Sequence, residues 1–394
     1  MTPSRPEETA LHSPAEQAAN IQRIDWTENG TPHSARWLSE SRAAPLRICI
    51  ADDTVSADQA FRLACEGTAL LWRGDFNNAR QLLQAISRRI DRKPRKKTPA
   101  DADPAAGFHA HRLAQSQRAR TLGMLLVPLD GDYTLPLRRA PDVRSACLEA
   151  LGPANGAMII PLRELLGIIG AHEWRRKGVP VAALGAAIHP HYGVFSPVRG
   201  EYIELVSTAP LPAPLPALAF DIGTGSGVLA AVLARRGISR VLATDLNDRA
   251  LACAADNLAR LGLSERVELV RTDLFPEARA ALIVCNPPWI PAKPTSALEH
   301  AVYDPDGRML KRFLAGVVSH LAPGGEAWLI LSDLAEHLGL RSREALLNLF
   351  DSSGLKVVER LDTRPTHARA QSTDDPLHAA RSREVTSLWR LTPA

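Results

Sequence analysis

The sequence predicts an α/β fold, a mostly parallel sheet with helices on both faces, preceded by a mixed α+β N-terminal domain. Three observations predict it. From Ala217 onward, short apolar runs alternate with amphipathic segments, the rhythm of a parallel sheet wound with helices. The first such run leads through Gly223, Gly225 and Gly227 into an Ala-rich helix, in FDIGTGSGVLAAVLARRG. The next run closes on Asp245, 22 positions after Gly223 (245 − 223).

Strands are expected at Ala217–Ile222, Val241–Asp245, Val267–Arg271, Ala281–Asn286 and Ala327–Leu331. The last pair, Lys356–Leu361 and Val385–Leu391, lie close enough in sequence to meet antiparallel at the sheet's edge. Upstream, residues 1–44 are polar and rich in Ser, Pro and Glu, and read as a loosely ordered arm. Residues 45–185 read as the α+β domain. Its strand is Leu46–Ile50, and its helices are Ser56–Cys65 and Asp75–Ile90, with Asp75 as an N-cap. The run RRIDRKPRKKTPADADPAAG is a helix end passing into a basic, flexible linker near 91–106. A basic helix follows at His109–Arg120, then a hairpin turning at Asp130-Gly131, then helices at Val143–Leu151 and Pro161–Lys177. Trp72 and Phe76 fit the apolar spacing of a core. Residues 186–394 form the second domain.

Composition narrows the functional classes. With 45% hydrophobic and 23% charged residues in 394, the chain is a globular protein and neither disordered nor fibrous. Its most apolar stretch, from Ala157, is interrupted by Pro161, Arg163 and Glu164, so no membrane span is expected. The N-terminus lacks an apolar run behind a basic start, which argues against a signal peptide and for a cytoplasmic location. Five widely spaced cysteines without a CxxC pair read as reduced thiols. The histidine pairs His109/His111 and His189/His191 have no partners at ligand spacing, so no metal is expected. Charge is uneven. Residues 1–200 carry 26 basic and 20 acidic side chains, about +6, and the remainder 21 and 23, about −2.

Alternating glycines at a strand-to-helix turn let the backbone approach a ligand closely, with amide N–H groups at the helix start facing it. Asp245 ends its strand where a carboxylate can accept two ribose hydroxyls. Asp273, in RTDLF, ends the next strand where an adenine amino group can be bound. DIGTGSG, the Asp245 strand end, TDLF and NPPW, in this order and spacing, resemble the class I methyltransferases that use S-adenosylmethionine (SAM), over roughly residues 190–394. The resemblance implies a Rossmann-like catalytic domain with SAM as cofactor. Carried over by position, Asp221, Gly223, Thr224, Gly225 and Gly227 border the methionine moiety, Asp245 the ribose, and Asp273 with Leu274 the adenine; Asn286 also reaches the cofactor.

Asn286-Pro287-Pro288-Trp289 is the most specific motif. A conjugated NH2 nitrogen is a poor nucleophile because its lone pair is delocalised. If the Asn286 side-chain oxygen and the Pro287 carbonyl both accept its N–H bonds, the lone pair is turned toward the methyl group. Trp289 offers a flat face on which a base or an amide plane stacks. YGVFSPVRGEY, Tyr192–Tyr202, resembles the segment before the glycine motif in HemK-like and small-domain methyltransferases; the resemblance implies that Phe195, Pro197, Arg199 and Glu201 form a lid over the cofactor, with Trp289 at the substrate. Asp306-Gly307 resembles that group's loop after NPPW. Glutamine methyltransferases usually carry Tyr where Trp289 stands, a departure that favours another acceptor.

In the N-terminal domain, Arg88–Lys97 with His109, His111, Arg112, Arg118 and Arg120 would follow a phosphate backbone, giving substrate recognition. LRICIADD resembles the first strand of a decayed second methyltransferase domain without its glycine loop. The resulting expectation is a SAM-dependent N-methyltransferase acting on an exocyclic nucleobase amine, in RNA rather than DNA. The alternatives are a protein-glutamine N-methyltransferase of the HemK-like type and, from another class, a non-catalytic RNA-binding or assembly factor on this scaffold.

Overall fold

A computed structural model describes residues 22–92, 103–198, 200–294, 298–365 and 375–394. The chain divides into two compact units, Met1–Pro94 with Arg118–Gly167, and Arg95–Gln117 with Ile168–Ala394.

The first unit is built on a six-stranded sheet in the order β1-β2-β6-β5-β4-β3. Its strands are β1 (Arg23–Glu28), β2 (Thr31–Trp37), β3 (Arg47–Ala51), β4 (Thr68–Trp72), β5 (Leu125–Leu129) and β6 (Met158–Pro161). β1 and β2 correct the expected arm over residues 1–44, of which 1–21 lie outside the described residues. The signal was present as Asn29-Gly30, whose φ values of 51° and 79° suit the two-residue turn that matches strand twist. Ile24, Ala35 and Trp37 are buried among polar neighbours, an alternation that average composition conceals.

The expected hairpin at Asp130-Gly131 also fails. β5 pairs in parallel with β4 and antiparallel with the distant β6. After β5, the Asp132 carboxylate accepts from the Thr134 backbone N (2.8 Å) and Oγ1 (2.8 Å), so the chain folds into a local turn rather than a return strand. Asp75 caps the Phe76–Asp91 helix as expected, accepting from Asn77 N at 2.9 Å. Trp72 and Phe76 are core. Of the linker expected near 91–106, Asp91 is helical and Pro104 opens the Pro104–Leu122 helix; residues 93–102 lie outside the described residues.

The second unit carries an antiparallel pair, β7 (Val179–Val181) with β8 (Ala186–Ile188), and a seven-stranded sheet in the order β11-β10-β9-β12-β13-β15-β14. β9 (Leu218–Ile222), β10 (Arg240–Asp245), β11 (Val267–Arg271), β12 (Ala280–Cys285) and β13 (Leu321–Ser332) run parallel; β14 (Leu355–Thr363) and β15 (Thr386–Pro393) close the edge antiparallel. Burial on both faces explains why the central strands are apolar runs rather than alternating ones. β13 shows how both sides are filled: Trp328 and Ile330 face one core, and Ala327, Leu329 and Leu331 the other. Described residues 103–117 and 168–185 group with this second unit. No helix among the described residues is long and apolar enough to cross a membrane.

Trp328 has no exposed surface and is among the largest buried side chains. Trp328→Ala should destabilise the second unit by about 3–5 kcal/mol, the usual range for emptying such a site. The measurement is the midpoint of that unit's urea transition, and an unmoved midpoint would contradict the packing described.

Candidate functional site

Sheet register brings the sequence motifs to one edge. Ile222 on β9 pairs with Thr244 on β10 and with Cys285 on β12, so Asp221, Asp245 and Asn286 leave the sheet at nearly the same level. In doubly wound sheets that carboxyl edge is where ligands bind.

The glycine turn is fastened from both ends. Thr224 N donates to Thr244 O (2.8 Å), tying the turn to β10, and Gly227 N donates to Thr224 O (2.9 Å). Gly223, Gly225 and Gly227 all have positive φ, at 72°, 56° and 79°. Gly227 needs its missing side chain twice over, since a Cβ there would lie 3.1 Å from the Ala254 Cβ. Gly225 differs: a Cβ would meet nothing within 4 Å, so this part of the backbone is open to a ligand.

Asp221 is buried, and its Oδ2 accepts from Thr224 Oγ1 (2.6 Å) and from Ala230 N (3.0 Å) at the start of the Val228–Arg235 helix. Burial pushes its carboxyl up to about 6, against the lowering effect of those two bonds. Asp245 accepts from Gly225 N (3.1 Å) and Asn247 N (2.9 Å); its carboxyl is also raised, again chiefly by burial. Asp221 Oδ2 is filled by its two donors, whereas Asp245 Oδ2, with one, retains lone-pair capacity for another. Cationic and hydroxyl-bearing parts of SAM therefore fit this edge. Asp273 is held differently, its half-exposed carboxylate paired with Arg312 at 2.7 Å. Leu274 has φ 71°, and its carbonyl accepts from Thr244 Oγ1 (2.7 Å).

Asn286 follows β12, and its Oδ1 accepts from Trp289 Nε1 at 2.8 Å. This bond fixes the indole relative to the amide. The Trp289 ring also packs against all the apolar clusters around the site, and Pro287 is buried. In the lid segment, Phe195 packs on the core, Pro197 is buried and Glu201 opens the Glu201–Thr208 helix; Arg199 lies outside the described residues. Glu201 Oε1 and Ser196 Oγ are buried with no hydrogen-bond partner among the described residues. The charges of Asp221 and Glu201 both act on buried Tyr202, whose phenol burial already pushes up. Among the described residues no group of His, Cys, Asp and Glu could hold a metal ion. Cys147, Cys253 and Cys285 are buried and Cys65 is exposed; all the cysteines are free thiols.

Several residues at the site had not been singled out in the sequence. Asn257, nearly inaccessible, donates to Ser226 O in the glycine turn (3.1 Å) and accepts from His189 N (2.8 Å), joining that turn to the segment before the lid. Asp304 is buried and accepts from Met309 N (3.0 Å) and Leu310 N (3.2 Å). It sets Met309 so that a Cβ on Gly223 would lie 3.0 Å from the Met309 Cε. For Asn257 the available signal was a polar residue on the apolar face of an amphipathic helix. Asp306-Gly307, noted in the sequence, forms consecutive left-handed residues, φ 57° and 64°, leading into the Arg308–His320 helix.

Three members of the basic set are committed to carboxylates. Arg89 pairs with Asp58 (2.6 Å), Arg118 with Asp91 (3.1 Å) and Arg112 with Glu299 (2.9 Å). Lys93, Arg95, Lys96 and Lys97 lie outside the described residues.

A parallel sheet with a glycine turn and acidic strand ends at its carboxyl edge defines a nucleotide-type cofactor domain of the class I methyltransferase kind. The family described as methyltransferase small domain matches residues 186–354. That segment is therefore similar to this family, in keeping with the resemblance of DIGTGSG and NPPW to SAM-dependent methyltransferases. The chain is 37% identical over 160 residues to a release factor glutamine methyltransferase of Cereibacter sphaeroides, covering 37% of this chain and 55% of that protein. It is 27% identical over 158 residues to a tRNA1(Val) (adenine(37)-N6)-methyltransferase of Shewanella sp., covering 38% of this chain and 63% of that protein. The chain spans about half the length of the curated relatives it first matches. Among solved structures it is similar to a methyltransferase from Pyrococcus furiosus, with 17% identity and a TM-score of 0.38, over 59% of this chain and 99% of that one.

Asp221 yields a prediction with a definite sign. Its raised carboxyl ionises as pH climbs through about 6, and a cation held nearby favours the ionised form. SAM affinity should therefore weaken as pH falls from about 7 to 5, with proton release on binding near pH 6, and Asp221→Asn should abolish both. In the protein alone the linkage is opposite. This group favours the fold at low pH, and that contribution is lost as pH rises through about 6. Calorimetry in buffers of different ionisation enthalpy checks it; an affinity flat across this range would place Asp221 away from the cofactor's charge.

Proposed function

We propose that this protein transfers the SAM methyl group to the side-chain amide nitrogen of a glutamine in a protein substrate. The carrying observation is the Asn286–Trp289 pair at the end of β12, beside the glycine turn. When bound, SAM supplies an electrophilic methyl on a sulfonium. Asn286 Oδ1 uses one lone pair on the Trp289 indole and has a second for an N–H of the acceptor. The Pro287 carbonyl is the other acceptor in this reading, and together they turn the NH2 plane so that its lone pair faces the methyl. The consecutive prolines hold the two acceptors at fixed spacing. The nitrogen becomes strongly acidic only as the new bond forms, so no strong base is required beforehand, and the proton leaves to water.

Two observations favour an amide in a protein over a nucleobase. Several relatives above 30% identity carry the name release factor glutamine methyltransferase. Arg89, Arg118 and Arg112, three of the residues expected to follow a phosphate backbone, are instead paired with Asp58, Asp91 and Glu299. The second reading, an exocyclic adenine amine in RNA, is favoured by the tRNA-methylating relative and by the flat indole of Trp289. A non-catalytic scaffold is disfavoured because a buried, raised Asp221 is costly to keep without a ligand to serve.

The deciding experiment supplies tritiated SAM with a purified bacterial release factor, and separately with bulk tRNA from cells lacking the gene. Label recovered as N5-methylglutamine supports the proposal, whereas label only in adenine of the RNA supports the second reading and overturns the first. Within the labelled reaction, Asn286→Ala should lower turnover about 100- to 1000-fold, by analogy with removal of an oriented oxyanion-hole group. Its SAM dissociation constant should stay within about twofold, since a cofactor contact to one neutral amide is worth little. Parental turnover in Asn286→Ala would reject a conjugated-nitrogen acceptor.

A further inference from the structure

The Pro104–Leu122 helix lies upstream of the segment that matches the methyltransferase family, yet its residues up to Gln117 group with the catalytic unit. Phe108, 1% exposed, is part of an apolar cluster with Ile290, Leu334 and Leu338, against which Trp289 and Tyr303 also pack. One helical turn on, Arg112 holds Glu299 with both arms of its guanidinium, Nη1 to Oε1 at 3.0 Å and Nη2 to Oε2 at 2.9 Å. Nη2 also donates to Lys293 O at 2.8 Å, and the guanidinium carbon stands 4.0 Å from the centre of the Tyr303 ring.

These contacts fall on the loop that leaves Asn286–Trp289. Its ends are joined by backbone bonds, Ile290 N to Val302 O (3.2 Å) and Asp304 N to Ile290 O (2.9 Å). Lys293 is on the outgoing arm, and Glu299 and Tyr303 are on the returning arm, so one guanidinium spans both. A planar fork satisfied by a carboxylate, a carbonyl and an aromatic face is a geometry that Lys cannot reproduce. The pair is mostly buried, with 15% and 29% of the two side chains exposed, so it is shielded from salt more than a surface pair.

We infer that Arg112, seated by Phe108, is a positioning residue for methyl transfer: it clamps the described arms 290–294 and 299–304 together and thereby fixes Trp289 and Asn286 against the acceptor nitrogen. The inference rests on the reading of Asn286 and Trp289 as the acceptor site. It assigns Arg112 to the loop rather than to a phosphate.

The test compares the parent with Arg112→Ala, Arg112→Lys and Glu299→Gln in the full-length protein, by amide hydrogen exchange over 290–304, SAM calorimetry and turnover with tritiated SAM and purified release factor. Arg112→Ala should speed loop exchange at least about tenfold and lower kcat about tenfold or more, because a small misplacement of reacting groups is expensive in rate. The KM for SAM and its dissociation constant should stay within about twofold, and exchange in β9 and β12 should be unchanged. Arg112→Lys should recover part of kcat. Glu299→Gln, which leaves the helix intact, should loosen the loop in the same direction, keeping the test informative if Arg112→Ala fails to fold. Unchanged loop exchange in Arg112→Ala or in Glu299→Gln overturns the clamp. A loosened loop with parental kcat overturns the positioning role. If the parent labels neither release factor nor RNA, the acceptor reading fails and the positioning role falls with it, while loop exchange still reports on the clamp.

Discussion

An ionisable carboxyl kept out of water must be compensated, and the compensation of Asp221 organises the methyltransferase unit. Its Oδ2 gathers the Thr224 hydroxyl and the Ala230 amide, one in the glycine turn and the other at the first turn of the following helix. That single acceptor therefore fixes how strand, turn and helix meet. The bonds do not fully offset burial, since the carboxyl remains raised to about 6. The result is a buried, raised acid next to an open glycine backbone at Gly225.

Everything else at the site is placed relative to that turn. The parallel register of β10, β9 and β12 levels the strand ends, so residues 221, 245 and 286 converge although the intervening helices separate them in sequence. Gly227 allows the Asp248–Arg260 helix to approach, and Asn257 on that helix returns a hydrogen bond to Ser226 O. Because the same amide accepts from His189 N, the segment leading to the lid shares its anchor with the cofactor turn. A short polar side chain thus couples elements that would otherwise be fixed only by nondirectional apolar packing.

Charge has two different uses in this chain. In the sequence, the excess of arginine and lysine before residue 200 resembles a surface for an anionic partner. In the fold, Arg89, Arg112 and Arg118 each meet a carboxylate, and Arg390 bridges Glu326 and Glu359 across the antiparallel edge. Net charge counts ions without regard to pairing, which is why it speaks to long-range attraction and says little about where a given guanidinium goes.

Much of the catalytic unit was legible from local pattern. Buried parallel strands are apolar runs, tight turns need glycine, and Asp245 and Asn286 terminate strands, so β9 to β12 and the site motifs followed from sequence with boundaries shifted by a residue or so. Asp75 as an N-cap was likewise a short-range event, a side chain bonding an amide two positions on. Reading average polarity instead of alternation hid β1 and β2, although Asn29-Gly30 marked their turn. What no local pattern could supply was pairing between distant residues. β5 took β6, across more than a helix of sequence, in place of a hairpin partner, and Arg112 found Glu299 187 positions away. Even the Trp289 bond to Asn286, three residues apart, depended on tertiary packing to choose the rotamers. Sequence by itself determined the parallel strands of the second unit and the glycine turn between them, because propensity and turn geometry are local properties. The tertiary structure decided which charges are paired and which helix meets the loop after Trp289, because those energies exist only once distant segments are in contact.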